Sequence, residues 1–211
     1  MRQAHPGLCH PDDVRDPPAD PPRHPTLVQR FALWLLHVFG WKTRFVWPPE
    51  RKGIIAVYPH TSNWDFPLGL LFRIGHGLPA NWIGKREMFP WPIGPLFEAI
   101  GGIPLDRSRT TGFLDAIMAE YRRRNWMWIA IAVEGTRGYT DHLKPGFWVL
   151  ATQLDIPVGL GCIDYATKTV SIDTYVRFSG DRERDMQVLR DYFAGKRGLK
   201  PEFEGEIRLR P

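Results

Sequence analysis

The sequence predicts an α/β protein of one domain, built as a mixed central sheet flanked by helices. Three observations carry this. Strand-length apolar runs alternate with helix-length segments along most of the chain. Two of those runs, "GIIAVY" at 53–58 and "MWIAIAV" at 127–133, are continuously apolar, as buried strands are. The length of 211 residues with 43% hydrophobic content suits one core with a short appendage.

Taken in order, "RFVW" and "GIIAVY" read as strands, "WDFPLGLLFRI" as a short helix and "ANWIG" as a third strand. A helical segment around "WPIGPLFEAI" leads to the strand-like "GGIPLD", then the helix "TGFLDAIMAEYRRR", then "MWIAIAV", which reads as a central strand. After the polar stretch "EGTRGYTDHLKPG" come a helix "FWVLATQLD", a strand "IPVGLGCID", an alternating strand "TVSIDTYVRF" and a charged last helix from near Asp181. No internal repeat or second domain is visible.

Ahead of this domain, expected at 43–211, residues 1–26 hold seven prolines and four aspartates and read as a disordered tail with no secretory signal. Residues 27–41 form a mostly apolar run broken by Gln29, Arg30 and His37. It is shorter than the roughly 20 residues that span a bilayer. A helix over 27–42 that packs on the domain and one that lies in a membrane surface both fit, since Trp34 and Trp41 suit a core or a headgroup boundary.

The net charge of +5 and pI near 9.4 favour partners that carry phosphate. Two cysteines, Cys9 and Cys162, make neither a disulfide framework nor a zinc site, and the chain reads as cytosol-facing. The basic run Arg122, Arg123, Arg124 falls at a helix C-terminus, where cations are favoured anyway, so no nucleic acid is expected as a partner. G-x-S-x-G, the P-loop, G-x-G-x-x-G and H-E-x-x-H are all absent.

His60 and Asp65, in "YPHTSNWDF", leave a strand and enter a helix, where polar side chains of α/β folds gather around a substrate. A loop of this length lets the carboxylate meet imidazole Nδ1, which fixes the tautomer and makes Nε2 a base. In the other reading Asp65 caps the helix, helped by Pro67, and His60 is an ordinary loop residue. Spacing alone leaves both open.

Three further segments follow in order: "GKREMFPWPIGPLFEAIGGIPLDRS", "AVEGTR" and "IPVGLGCIDYA". With H-x4-D at His60 and Asp65, G-x-x-x-x-D-R at 101–107, E-G-T-R at 134–137 and the apolar strand at 156–159, the chain resembles the lysophosphatidic acid acyltransferase (glycerolipid acyltransferase) family from about residue 52 to 165. The resemblance implies a glycerol-3-phosphate acyltransferase-like fold and transfer of a fatty acyl group from acyl-CoA or acyl carrier protein to a hydroxyl of a lysophospholipid or glycerol phosphate. It makes His60 the general base and Asp65 its orienting partner, with no covalent intermediate, cofactor or metal. Arg137 would grip the acceptor's phosphate while Glu134, Gly135 and Thr136 shape its loop, and a guanidinium fork suits phosphate oxygens. Lys85 and Arg107 would be further substrate contacts; a surface salt bridge is the alternative for each. Val133 where many relatives carry Pro, and "IPLDR" where long membrane-bound members have an aromatic residue, imply a compact bacterial-type branch.

Two other classes bear on the same residues. One is a metal-dependent phosphoesterase with His60 and Asp65 as ligands; the remaining histidines, His5, His10, His24, His37, His76 and His142, are too scattered to complete a two-metal site. The other is a catalytically idle lipid-binding protein on the same scaffold. Because acceptor and product of the acyltransferase would be lipids, a membrane surface is the expected partner, with the protein peripheral on the cytoplasmic face.

Overall fold

A computed structural model describes residues 24–85, 87, 89–105 and 113–210. Their elements follow the predicted order: α1 (Leu27–Val38), β1 (Lys42–Phe45), β2 (Lys52–Val57), α2 (Asp65–Gly75), β3 (Ala80–Lys85), α3 (Gly94–Ala99), β4 (Gly102–Leu105), α4 (Phe113–Arg123), β5 (Met127–Ala132), α5 (Gly146–Leu154), β6 (Val158–Asp164), β7 (Thr169–Val176) and α6 (Arg182–Phe193). A short 3-10 turn, Pro201–Phe203, follows. The boundaries that differ have local causes. The first strand sits two residues earlier than "RFVW", ahead of Pro48 and Pro49, and α3 is shorter than "WPIGPLFEAI" because Pro90 and Pro92 precede it.

The seven strands form one sheet in the order β1-β7-β6-β2-β5-β3-β4. Five of them, β4, β3, β5, β2 and β6, run parallel; β7 is antiparallel to β6, and β1 pairs parallel with β7. The sheet is thus mixed, as expected. Ile54 and Ala56 of β2 point into a core with Phe147 and Leu150 of α5 and Met186 and Leu189 of α6. Ile55, between them in sequence, points the other way, into a core with Phe72 of α2 and Leu36 of α1. Period-two alternation with helices on both faces makes every position of β2 apolar, so the strand reads as a continuous run.

Helix α1 begins with a reciprocal capping box, in which Gln29 N–H donates to Thr26 Oγ1 and Thr26 N–H to Gln29 Oε1. It packs on α2 through Ala32 and Leu36, and leaves Leu27, Phe31, Trp34 and Val38 exposed. One face of this helix is thus packed on the domain, and the other is exposed and apolar. Among the described residues, no helix is long and apolar enough to cross a membrane. At the end of α4, Arg123 and Arg124 pair with Glu120 at 2.9 and 2.7 Å, so two members of the basic run are engaged with their own helix.

Candidate active site

The parallel strands β6, β2 and β5 are neighbours, so their C-terminal ends open on one edge of the sheet. The chain leaves β2 toward β3 on one side of the sheet, whereas it leaves β5 for β6 on the other. At such a divergence a crevice opens beyond the strand ends, and ligands of open α/β sheets bind there. The segment after β2 carries His60 and Asp65, the one after β5 carries Glu134, Gly135, Thr136 and Arg137, and the one after β6 carries Tyr165.

His60 Nδ1 stands 3.0 Å from Asp65 Oδ2. Asp65 is the first residue of α2 and does not cap it; the cap position is Trp64, which makes no side-chain capping bond. Its carboxylate turns back along the loop instead, and Oδ2 accepts the N–H groups of Thr61 and Ser62, both at 3.0 Å. Tyr165 donates its hydroxyl to Oδ1 at 2.8 Å. With the two backbone N–H groups and imidazole Nδ1 converging on Oδ2, Nδ1 is placed to donate to the carboxylate, which leaves Nε2 as the ring nitrogen that can act as a base.

Glu134 is buried and ties two segments together. Its Oε2 accepts the His60 N–H at 2.6 Å, and its Oε1 accepts the N–H of Gly205 at 2.8 Å. Burial pushes its carboxyl up to about 7, against these two N–H groups, which favour the charged form. Gly135 then takes φ +68°, the left-handed conformation glycine adopts at little cost, and a Cβ there would stand 2.8 Å from Lys144 Cγ. Thr136 Oγ1 accepts the Gly138 N–H at 3.2 Å and shapes the turn. Arg137 is exposed, and among the described residues no carboxylate engages it.

A cleft of about 990 Å³ runs from these residues into the sheet. His60, Arg137 and Lys144 border it, and Phe66, Leu70, Trp82, Ile83, Phe147 and Leu150 make much of its apolar wall. Lys85 ends β3, its backbone in register with Leu105 of β4; its side chain is not among the described ones. Arg107 lies outside the described residues. No group of three or more metal-binding side chains gathers among the described residues.

The acyltransferase family model matches residues 46–159, more than half of the chain. The chain belongs to the acyltransferase family. That membership makes it an acyl-transferring enzyme and sets the phosphoesterase alternative aside. Its fold is similar to the crystal structure of the 1-acyl-sn-glycerophosphate (LPA) acyltransferase PlsC from Thermotoga maritima, with a TM-score of 0.54 over 82% of this chain and 80% of that one, at 17% sequence identity. No curated protein gives a significant match.

Three features of this acyltransferase's site escape a motif search. Tyr165 lies 100 positions from Asp65, and Gly205 lies 71 from Glu134. The C-terminal segment that carries Gly205 also binds the His60 loop: Tyr58 Oη donates to the Gly205 carbonyl at 2.8 Å, and the Lys200 N–H to Thr61 Oγ1 at 3.1 Å. Lys144 is the third; its exposed chain packs beside Gly135, and its N–H donates to the Val133 carbonyl at 2.8 Å. It was legible only as a lysine a few residues past E-G-T-R.

Proposed function

We propose that this acyltransferase moves a fatty acyl group from a thioester, acyl-CoA or acyl carrier protein, to a hydroxyl of a lysophospholipid or glycerol phosphate, working from a membrane surface. The observation that carries the reading is the His60–Asp65 contact at the mouth of an apolar cleft that Arg137 also borders. His60 Nε2 takes the proton of the acceptor hydroxyl, and the oxygen attacks the thioester carbonyl. The C–S bond breaks, and the thiolate leaves with or without the proton now held by the imidazolium, since thiols are acidic enough to need little assistance. Asp65 holds the tautomer and steadies the imidazolium while it lasts. The apolar wall suits the acyl chain, and the exposed guanidinium of Arg137 suits a phosphate through two parallel hydrogen bonds.

The membrane surface enters because the acylated product of such a reaction, and a lysophospholipid acceptor, reside in a bilayer. The exposed apolar face of α1, bordered by Arg30 and followed by Lys42 and Arg44, offers burial and charge to an anionic lipid surface. The test is to offer labelled acyl-CoA and acyl carrier protein with a panel of lysolipids and glycerol phosphate, following free thiol and the mass of the acylated product. Acceptor-dependent thiol release with a new acylated lipid is expected. Release that ignores the acceptor, or none with any donor, would overturn the reading.

A further inference from the structure

The carboxylate of Asp65 is almost wholly enclosed, and its two oxygens are served unequally. Oδ2 receives Thr61 N–H, Ser62 N–H and His60 Nδ1, all from its own loop, within 3.0 Å. Oδ1 receives the Tyr165 hydroxyl at 2.8 Å, from the segment that follows β6. Turning the carboxylate plane about the bond to its Cβ would carry Oδ2 off those three groups, and the bond to Oδ1 is a second restraint on that plane, from outside the loop. That plane decides whether Oδ2 lies in line with imidazole Nδ1.

Tyr165 is itself firmly held. Its N–H donates to the Arg197 carbonyl at 2.9 Å. Its ring meets Trp41 edge to face at 5.0 Å. The preceding Asp164 accepts Ala166 N–H and Arg197 N–H, both at 3.1 Å, and the Thr167 hydroxyl at 2.5 Å, which fixes the turn after β6. Burial and the Asp65 carboxylate both push the Tyr165 phenol up, so it keeps its proton and donates.

We propose that Tyr165 is a positioning residue for the acyl transfer, acting through Asp65: its hydroxyl fixes the plane of that carboxylate and draws off part of its charge, and so sets the alignment and basicity of His60. The proposal rests on the reading of His60 as general base. Phe at 165 keeps the ring, the Trp41 contact and the backbone bond to Arg197, and removes only the hydroxyl. Loss of a hydrogen bond to a charged group corresponds to about tenfold or more in rate when that bond serves the transition state.

The experiment measures kcat, both KM values and the pH profile of kcat/KM for the full chain with acyl-CoA and lysophosphatidic acid. Tyr165→Phe should lower kcat about tenfold while both KM values change less than about twofold. The acidic limb should move to higher pH, because a carboxylate relieved of its donor holds an imidazolium more strongly. Adding Tyr165→Phe to Asp65→Asn should change kcat by less than about twofold, since the hydroxyl would act only through the carboxylate already removed. Parent kinetics and an unmoved limb in Tyr165→Phe, or a full further loss in the double variant, would overturn the proposal. If Tyr165→Phe melts below the assay temperature, 3-fluorotyrosine at 165, a stronger donor of nearly the same shape, should move the limb to lower pH, and an unmoved limb is again decisive against it. His60→Ala separates the two readings. Activity that survives it overturns the base, whereas loss there with parent kinetics in Tyr165→Phe overturns only the role of Tyr165.

Discussion

Oδ2 of Asp65 stands 3.0 Å from Nδ1 of His60, and the same oxygen accepts the N–H groups of Thr61 and Ser62. The carboxylate thus orients the ring and also closes the loop that carries it. Its two duties can be separated by mutation.

His60→Ala should lower acyl transfer by about 100- to 10,000-fold, the usual worth of a general base, without loss of the fold. The side chain projects from a loop into the cleft and is not among the core residues. Asp65→Ala should lower activity and stability together, because it leaves the Thr61 and Ser62 N–H groups without an acceptor, at about 1–3 kcal/mol each. Thiol-release assays beside thermal melts check both, and equal melting temperatures for the two variants would contradict the loop-closing role of Asp65.

Arg137→Lys should raise the KM of the acceptor on the order of tenfold and leave that of the donor nearly unchanged, since a point charge replaces a two-pronged donor. The exposure of Arg137 makes a folding defect an improper explanation of any loss. Steady-state kinetics with each substrate varied in turn decide it. A rise in the donor's KM instead would assign Arg137 to the thioester side of the cleft.

Much of this architecture is legible in the sequence because its determinants are local. Both faces of β2 are covered, so "GIIAVY" is apolar throughout, and His60 and Asp65 lie on one short connection that can hardly keep them apart. The rest depends on contacts between distant segments. Nothing near Tyr165 marks it as a partner of Asp65, for its pattern is that of any residue ending a strand. Gly205 likewise reads as a loop glycine. Only in the fold does it stand so close to Glu134 and Thr140 that a Cβ would lie 3.2 Å from Glu134 Cγ and 2.7 Å from Thr140 Cγ2. The helix expected over 27–42 ends at Val38, since Gly40 takes φ +77° and Lys42 already pairs in β1; its sequence fits a packed and an interfacial helix alike because it has apolar residues on both sides.

Glu134 gives a pH dependence whose sign follows from its burial. Its carboxyl, pushed up to about 7 from an ordinary 4.5, binds a proton in the folded chain over a range where the unfolded chain has released it. Its contribution to stability is therefore full below about pH 4.5 and is lost as the pH rises through about 7. Glu134→Gln cannot titrate, and it turns an amide NH2 toward either His60 N–H or Gly205 N–H, a donor facing a donor at a cost of about 1–3 kcal/mol. Thermal melts should show the variant less stable than the parent near pH 5, with the gap shrinking or changing sign toward pH 8 as the parent's raised carboxyl ionises. A gap that widens toward alkaline pH would contradict the raised carboxyl.

The last prediction concerns the outer face of α1. Phe31 and Trp34 are 58% and 56% exposed and stack on each other at 5.6 Å, whereas Leu36, two residues further on, is 1% exposed in the core with Phe72 and Trp41. Substitutions on the two faces should therefore have different consequences. Phe31→Asp with Trp34→Asp removes apolar area and adds negative charge where an anionic bilayer would dock, so co-sedimentation with anionic liposomes should fall. Acylation of long-chain acceptors should slow with it, while a short-chain soluble acceptor is used at near the parent rate and the melting temperature stays within a few degrees. Leu36→Asp should instead unfold the protein, because it places an unpaired charge in that core, and should abolish activity on both acceptors. Unchanged liposome binding in the Phe31 and Trp34 variant would move the membrane contact elsewhere on the surface, with Trp91, 87% exposed ahead of α3, as the next residue to replace.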